Sequence, residues 1–361
     1  MGYPETFEGF MVNSHTQWSI FKRQEFKPKP FNDNDVDIAV EACGVCGSDV
    51  HTITGGWGKC NLPLCVGHEI VGTVLKIGPS VTTLQIGQRV GVGAQVYACL
   101  ECVNCKNDNE NYCLKQVDTY NAHYPDGTIS QGGYSSHVRV HEYFTFAIPD
   151  SIPTSLAAPM LCAGITTYSP LVRAGIGPGK KVAIIGIGGL GHFGIMWAKA
   201  LGAETYAISH RPCKANDAKA LGAQEMISTQ EKGWHEPWSF FFDYVLNTAD
   251  ATHNFDMKAY MSILAVNGTF HNVGLPDGPL PSMMAFDYMR GGYQMGVSHI
   301  GSRPEMFSML ELASKQNIKS WVETVDISEA GCKEAVERVK KGAVKYRITL
   351  VGFDEAFGKR L

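Results

Sequence analysis

At Lys180 the chain reads Lys-Lys-Val-Ala-Ile-Ile, a buried-strand run, then turns through Gly186-Ile-Gly-Gly-Leu-Gly191 into a helix-like stretch over 193–201. Strand, glycine turn and helix in this order leave few folding options. The glycines permit a tight turn and let a dinucleotide pyrophosphate approach a helix N-terminus closely. A second strand over 205–208, a helix over 214–221, and strands over 243–246 and 269–273 continue the alternation. The pattern predicts an α/β unit with a parallel, doubly wound sheet.

The end of the second strand sets cofactor choice. A carboxylate there would hold the adenine ribose of NAD, but Ser209-His-Arg211 and then Lys214 stand in its place. A carboxylate repels a 2′-phosphate, whereas a hydroxyl and two cations bind one. NADP is therefore expected over NAD. A merely solvated helix start would not explain the missing acid.

With 361 residues the chain is long enough for two domains. Short β-branched runs cut by glycine over 69–92 predict a small barrel or sandwich ahead of the parallel sheet. The start, 1–35, reads as a polar, peripheral β-rich segment, and 149–159 as a linker entering a helix. Later elements are expected at 293–298 (strand), 303–314 (helix), 321–325 (strand), 328–341 (helix) and 345–352 (strand). Asn267-Gly-Thr269 reads as a turn before a strand.

Charge excludes some partners. A net charge of −4 with scattered basic residues gives no electrostatic basis for nucleic-acid binding. No stretch approaches the ~20 apolar residues of a membrane span, and the start lacks a signal pattern. The formal lipidation pattern at Met1-Gly2 and the tripeptide Lys359-Arg-Leu361 are set aside. Eleven cysteines, an odd number, suit a reducing cytoplasmic setting where thiols hold metals or pack.

Four of them, Cys99, Cys102, Cys105 and Cys113, crowd one polar loop at a spacing that lets four thiolates converge on a structural Zn²⁺. Disulfides are disfavoured by compartment, an iron–sulfur cluster by the surrounding composition, and a DNA-reading finger by the absence of a basic helix. A second group lies in Glu41-Ala-Cys-Gly-Val-Cys-Gly-Ser-Asp-Val-His51 and Gly67-His-Glu69. Cys46, His68, Asp49, Glu69, Ser48 and His51 together make the inventory of a zinc site with a proton path. Taken alone, Cys162 in Met160-Leu-Cys-Ala-Gly-Ile-Thr reads as a small helix-packing residue.

These motifs, with Ser130-Gln-Gly-Gly-Tyr134 and Tyr346-Arg-Ile-Thr349, resemble the zinc-dependent medium-chain alcohol dehydrogenases across almost the whole chain. Within that family the chain looks like the cinnamyl alcohol dehydrogenase branch and its fungal NADP-dependent members. The resemblance implies a GroES-like β-rich catalytic domain over 1–160 and 301–361, and a Rossmann-type cofactor domain over 161–300. It implies two Zn²⁺ per chain. Cys46, His68 and Cys162 would hold the catalytic one, with Glu69 able to approach it. Ser48 and His51 match the proton relay, and Asp49 the partner that orients His68.

The cofactor positions implied are Gly186, Gly188, Gly189, Leu190 and Gly191 at the pyrophosphate, Ser209, Arg211 and Lys214 at the 2′-phosphate, and Thr166, Thr248, Val273, Ser298 and Arg347 along the rest. His210 and His299 depart from residues commoner in relatives. The reaction implied is hydride transfer between NADP(H) and a primary aromatic, allylic or medium-chain alcohol or aldehyde. Trp57, Gln95, Tyr120 and His299 are expected to line a substrate pocket between the domains. A homodimer is expected through the edge strand at 293–298. Two other readings are a polyol dehydrogenase of the same superfamily, which would prefer NAD, and a non-catalytic NADPH-binding protein, which would be expected to have lost zinc ligands.

Overall fold

The computed structural model describes residues 4–249 and 255–359. The terminal patterns at Met1-Gly2 and Arg360-Leu361 therefore lie outside the described residues. The chain divides into two units, Met1–Cys162 with Ser302–Leu361, and Ala163–Gly301.

The first unit is built on the long strand Asp35–Val45. Glu69–Ile77 runs antiparallel along one side, while His137–His141 and Arg347–Val351 pair with the two halves of the other. Arg89–Val92, Thr145–Ala147 and Val322–Asp326 complete a seven-stranded sheet. Val36, Ile38, Val40, Ile70, Val74, Val90 and Val92 fill its core. Their β-branched side chains suit a pleated surface packed on one face.

Two expectations need correcting. The start of the chain is not simply polar, because Phe7–Val12 pairs with Phe21–Phe26 and buries Phe7, Phe10, Met11, Val12 and Phe21. Nor is 149–159 a linker. It runs into the short helices Thr154–Ala157 and Ala158–Leu161, whose Ala157, Ala158, Met160 and Leu161 are wholly buried. Small apolar residues there let the backbone pass close beneath the sheet, a demand that composition does not distinguish from flexibility.

The second unit is a six-stranded, all-parallel sheet in the order Glu225–Ser228, Glu204–Ser209, Lys181–Ile185, Phe242–Asn247, Leu264–Asn272, Gln294–Val297. This is the Rossmann-type architecture. Register decides what the sheet presents: Ile185 lies beside Ile208 and Asn247, Asn247 beside Asn272, and Asn272 beside Val297. Gly186, Ser209, Thr248, Val273 and Ser298 consequently follow at one edge, the carboxyl ends of the strands, where such sheets bind ligands. The edge strand Glu225–Ser228 escaped the sequence reading because only Ile227 in it is buried. Asn267-Gly-Thr269 lies within the strand Leu264–Asn272, where the chain turns at Asn267 (φ 60°) between the pairs Phe242–Leu264 and Tyr244–Thr269. No single helix among the described residues is long and apolar enough to cross a membrane.

Candidate active site

The four-cysteine loop forms a closed cluster. Its Sγ atoms lie 3.5 Å apart for Cys102–Cys105 and Cys99–Cys113, 3.9 Å for Cys102–Cys113 and 4.0 Å for Cys99–Cys105. Four sulfurs tetrahedral about zinc at ~2.3 Å stand roughly 3.8 Å apart, so the donors fit that ion. Hydrogen bonds from the Glu101 and Cys102 backbone pull the Cys99 thiol down to about 6, as a thiolate ligand requires.

The second cluster is assembled from three segments. Cys46 leaves the strand Asp35–Val45 at the start of the helix Gly47–Thr54, His68 precedes the strand Glu69–Ile77, and Cys162 sits between the helices Ala158–Leu161 and Ala163–Arg173. One ligand atom from each of Cys46, His68, Glu69 and Cys162 falls within 4.8 Å of the others, and all four residues are buried. His68 Nε2 is enclosed without a hydrogen-bond partner among the described residues, a cost that a metal removes. A hydrogen bond from Cys162 holds the Cys46 thiol well below its usual value, and the same bond pushes Cys162 up. Two thiols and an imidazole fit a zinc site that keeps one position open.

Glu69 is different in kind. Its Oε1 accepts from the Arg347 guanidinium, both side chains buried. Burial raises Glu69 to about 7, against the opposing pull of Arg347. Arg347, expected along the cofactor, is here a carboxylate partner with its Nε still unpaired among the described residues.

Ser48 and His51, three apart on the helix Gly47–Thr54, share a face. Ser48 Oγ is 3.5 Å from Cys46 Sγ, and the His51 ring stacks on Trp57 at 4.8 Å and 5°. Asp49 is buried and its charge favours a protonated His68, while its oxygens accept from the Cys46 N–H at 2.9 Å, the Gly67 N–H at 3.2 Å and the Tyr134 hydroxyl at 3.1 Å.

Two of the expected substrate-facing residues also have structural partners. The Gln95 amide donates to the Tyr97 and Glu110 carbonyls and is buried. Tyr120 is buried with its ring stacked on His68 at 5.3 Å and 14°. Trp57 is 44% exposed, and His299, half-buried in the second unit, follows Ser298. Sequence reasoning gave Tyr134 no role, although its Gln-Gly-Gly-Tyr setting marked it.

In the second unit the glycine turn has the shape a pyrophosphate needs. A Cβ on Gly191 would lie 1.7 Å from the Gly186 carbonyl oxygen, whereas one on Gly188 would meet nothing within 4 Å. The turn is thus tight within and open above, ahead of the helix Gly191–Ala200. Gly189 and Leu190 are half-buried in it, and Thr166 is half-buried on the helix Ala163–Arg173. Ser209 Oγ accepts the Arg211 N–H at 3.1 Å, Arg211 is exposed, and the Lys214 ammonium reaches the Ile187 carbonyl inside the turn. Burial, then the nearby Arg211, lowers the Lys214 pKa. Ser298 Oγ is 2.9 Å from His271 Nε2.

One unit holds a closed and an open soft-donor cluster and the other a parallel sheet with a dinucleotide-type glycine turn, which together define a metal-dependent dehydrogenase. Residues 32–150 match the alcohol dehydrogenase GroES-like domain and residues 189–315 the zinc-binding dehydrogenase domain. The chain is 49% identical over 360 residues to the NADP-dependent alcohol dehydrogenase 6 of Saccharomyces cerevisiae, covering 99% of each. Its fold is similar to a cinnamyl alcohol dehydrogenase of Sorghum bicolor (TM-score 0.91, 32% identity, 99% of each chain). It also matches the cinnamyl alcohol dehydrogenase of Helicobacter pylori complexed with NADP(H) (TM-score 0.88, 30% identity, 96% of this chain and 98% of that one). The chain belongs to the zinc-dependent alcohol dehydrogenase family.

Proposed function

We propose that this protein transfers hydride between NADP(H) and a primary aromatic, allylic or medium-chain alcohol or aldehyde at a zinc centre held by Cys46, His68 and Cys162. The observation that carries the reading is the buried donor set with its orphaned His68 Nε2, set beside the Ser48 hydroxyl. Bound zinc supplies Lewis acidity toward the substrate oxygen, and the nicotinamide supplies or accepts the hydride.

The chain's own groups manage the proton. Ser48, at the rim of the ligand set, exchanges it with the substrate hydroxyl, and His51, one turn along the same helix, carries it toward solvent. Asp49 holds the two ligand segments through their backbone N–H groups. Ser209, Arg211 and Lys214 recognise the 2′-phosphate, since no carboxylate stands at that strand end. The exposed face of Trp57 offers a flat surface to an aromatic or allylic group.

The exposed Met295 and Val297 on the edge strand Gln294–Val297 support a homodimer joined edge to edge, to be checked by sedimentation at micromolar concentration. Eleven unbridged cysteines support a cytoplasmic location. The deciding experiment is an initial-rate panel of aldehydes with NADPH and NADH, and of a polyol with NAD⁺, with zinc measured on the same sample. Two zincs per chain and aldehyde turnover favouring NADPH are expected. NAD-linked polyol oxidation as the faster reaction, or no turnover of either class at full zinc content, would overturn the reading. Cys46→Ser should abolish turnover yet keep NADPH binding, read by nicotinamide fluorescence.

A further inference from the structure

Ser130-Gln-Gly-Gly-Tyr134 stands out in the sequence, and neither the relay nor the ligand set uses it. In the structure it runs beside the segment that delivers His68. Gly132 N–H donates to the Cys65 carbonyl at 2.8 Å, Gly133 N–H to Gly67 at 2.7 Å and Tyr134 N–H to Val66 at 3.0 Å, while Gln131 Oε1 accepts the Cys65 N–H at 2.8 Å. The approach leaves no room for side chains. A Cβ on Gly132 would lie 2.4 Å from the Gly67 carbonyl oxygen, and one on Gly67 would lie 2.5 Å from the Tyr134 ring.

Tyr134 is wholly buried, and its hydroxyl donates to Asp49 Oδ2 at 3.1 Å. That oxygen also accepts the Cys46 N–H, while Oδ1 accepts the N–H of Gly67, the residue before His68. The Asp49 carboxylate is therefore a spacer between the backbones of two ligand residues, and Tyr134 touches the spacer and one of the backbones together. We propose that Tyr134 is a positioning residue for the catalytic zinc, fixing through Asp49 and Gly67 the separation at which Cys46 and His68 meet the metal. The inference rests on the zinc reading above. Tyr120 stacks on the His68 ring and its hydroxyl also interacts with Asp49, whereas Tyr134 couples Asp49 to the Val66–Gly67 backbone that delivers His68.

The test compares the zinc-loaded full chain with Tyr134→Phe, which keeps the packed ring and removes only the hydroxyl. Zinc release to a chromophoric chelator is followed, with the fast and slow phases assigned by Cys46→Ser, which lacks the catalytic site. Release from the catalytic site should accelerate about 10- to 100-fold, the range for losing a partner of a metal ligand, while the four-cysteine phase stays unchanged. Cobalt exchanged into the catalytic site should show shifted d–d bands, and kcat should fall with NADPH affinity unaltered. In an Asp49→Asn background, Tyr134→Phe should add nothing further. Equal acceleration of both phases, or an unshifted cobalt spectrum with unchanged release, overturns the proposal. A wild-type chain that binds zinc only at the four cysteines overturns the metal reading itself, and the proposal with it.

Discussion

His271 lies half-buried on Leu264–Asn272, its Nε2 on Ser298 Oγ and its ring stacked on Tyr244 at 5.9 Å. Burial lowers its pKa from 6.5 to about 4. The unfolded chain therefore binds this proton more readily than the folded one, so stability falls as the pH drops below about 6.5 and the loss is complete near 4. His271→Gln keeps a hydrogen-bond partner for Ser298 and removes the titration. Urea midpoints between those pH values should fall less steeply in the variant, and identical slopes would refute the assignment. His51→Gln should lower the rate of alcohol oxidation most at low pH, where proton removal is hardest. An unchanged pH–rate profile would argue against the relay. The soft donors at Cys46 and His68 could be read from sequence because few other roles need them so close to Ser48, Asp49 and His51. Cys162 could not, since a lone cysteine in an apolar run is ordinary packing until a fold brings it to a metal. The partners of Gln95 and Tyr120 were not legible for the same reason: which partner a buried polar side chain finds is a tertiary fact.

Helices were legible where their ends carry their own chemistry. Ser328 Oγ accepts the Gly331 N–H at 2.9 Å at the head of Glu329–Lys340, with Glu329 in the first turn and Arg338 and Lys340 in the last. Ser328→Ala should cost about 1 kcal/mol, seen as a lower melting temperature with unchanged kinetics; a loss of activity at full stability would give Ser328 another role. The four-cysteine loop shows the opposite dependence. Its apolar support is small, Ala98 and Phe144 with the partly buried Leu100 and Tyr143 around its own cysteines, so its order depends heavily on its ligands. Its polar spacing announced that in the sequence. The helices Thr154–Ala157 and Ala158–Leu161 announced nothing, because small residues serve a tight buried passage and a flexible link equally well.

At the level of the molecule, two periodicities were readable: glycine-cut β runs for the first unit and strict strand–helix alternation for the second. Register was not, and register is what gathers Gly186, Ser209, Thr248, Val273 and Ser298 on one edge. That edge ties cofactor choice to the stability of the whole chain, since a ligand bound only by the folded state stabilises it by about 2.7 kcal/mol at a hundredfold excess over Kd. NADPH should therefore raise the melting temperature more than NADH at equal concentration. Arg211 and Lys214 then separate by geometry. On the proposed reading the exposed Arg211 side chain meets the 2′-phosphate, so Arg211→Ala should cut the NADPH shift and leave the NADH shift alone. Lys214 also holds the Ile187 carbonyl within the glycine turn, the site proposed for the pyrophosphate of either cofactor, so Lys214→Ala should weaken both and NADPH more. A lost hydrogen bond to a charged group is worth about 1.5–3 kcal/mol, which sets the size of the expected fall in the NADPH shift. If both variants keep the wild-type ratio of NADPH to NADH shifts, the 2′-phosphate is not recognised at this strand end.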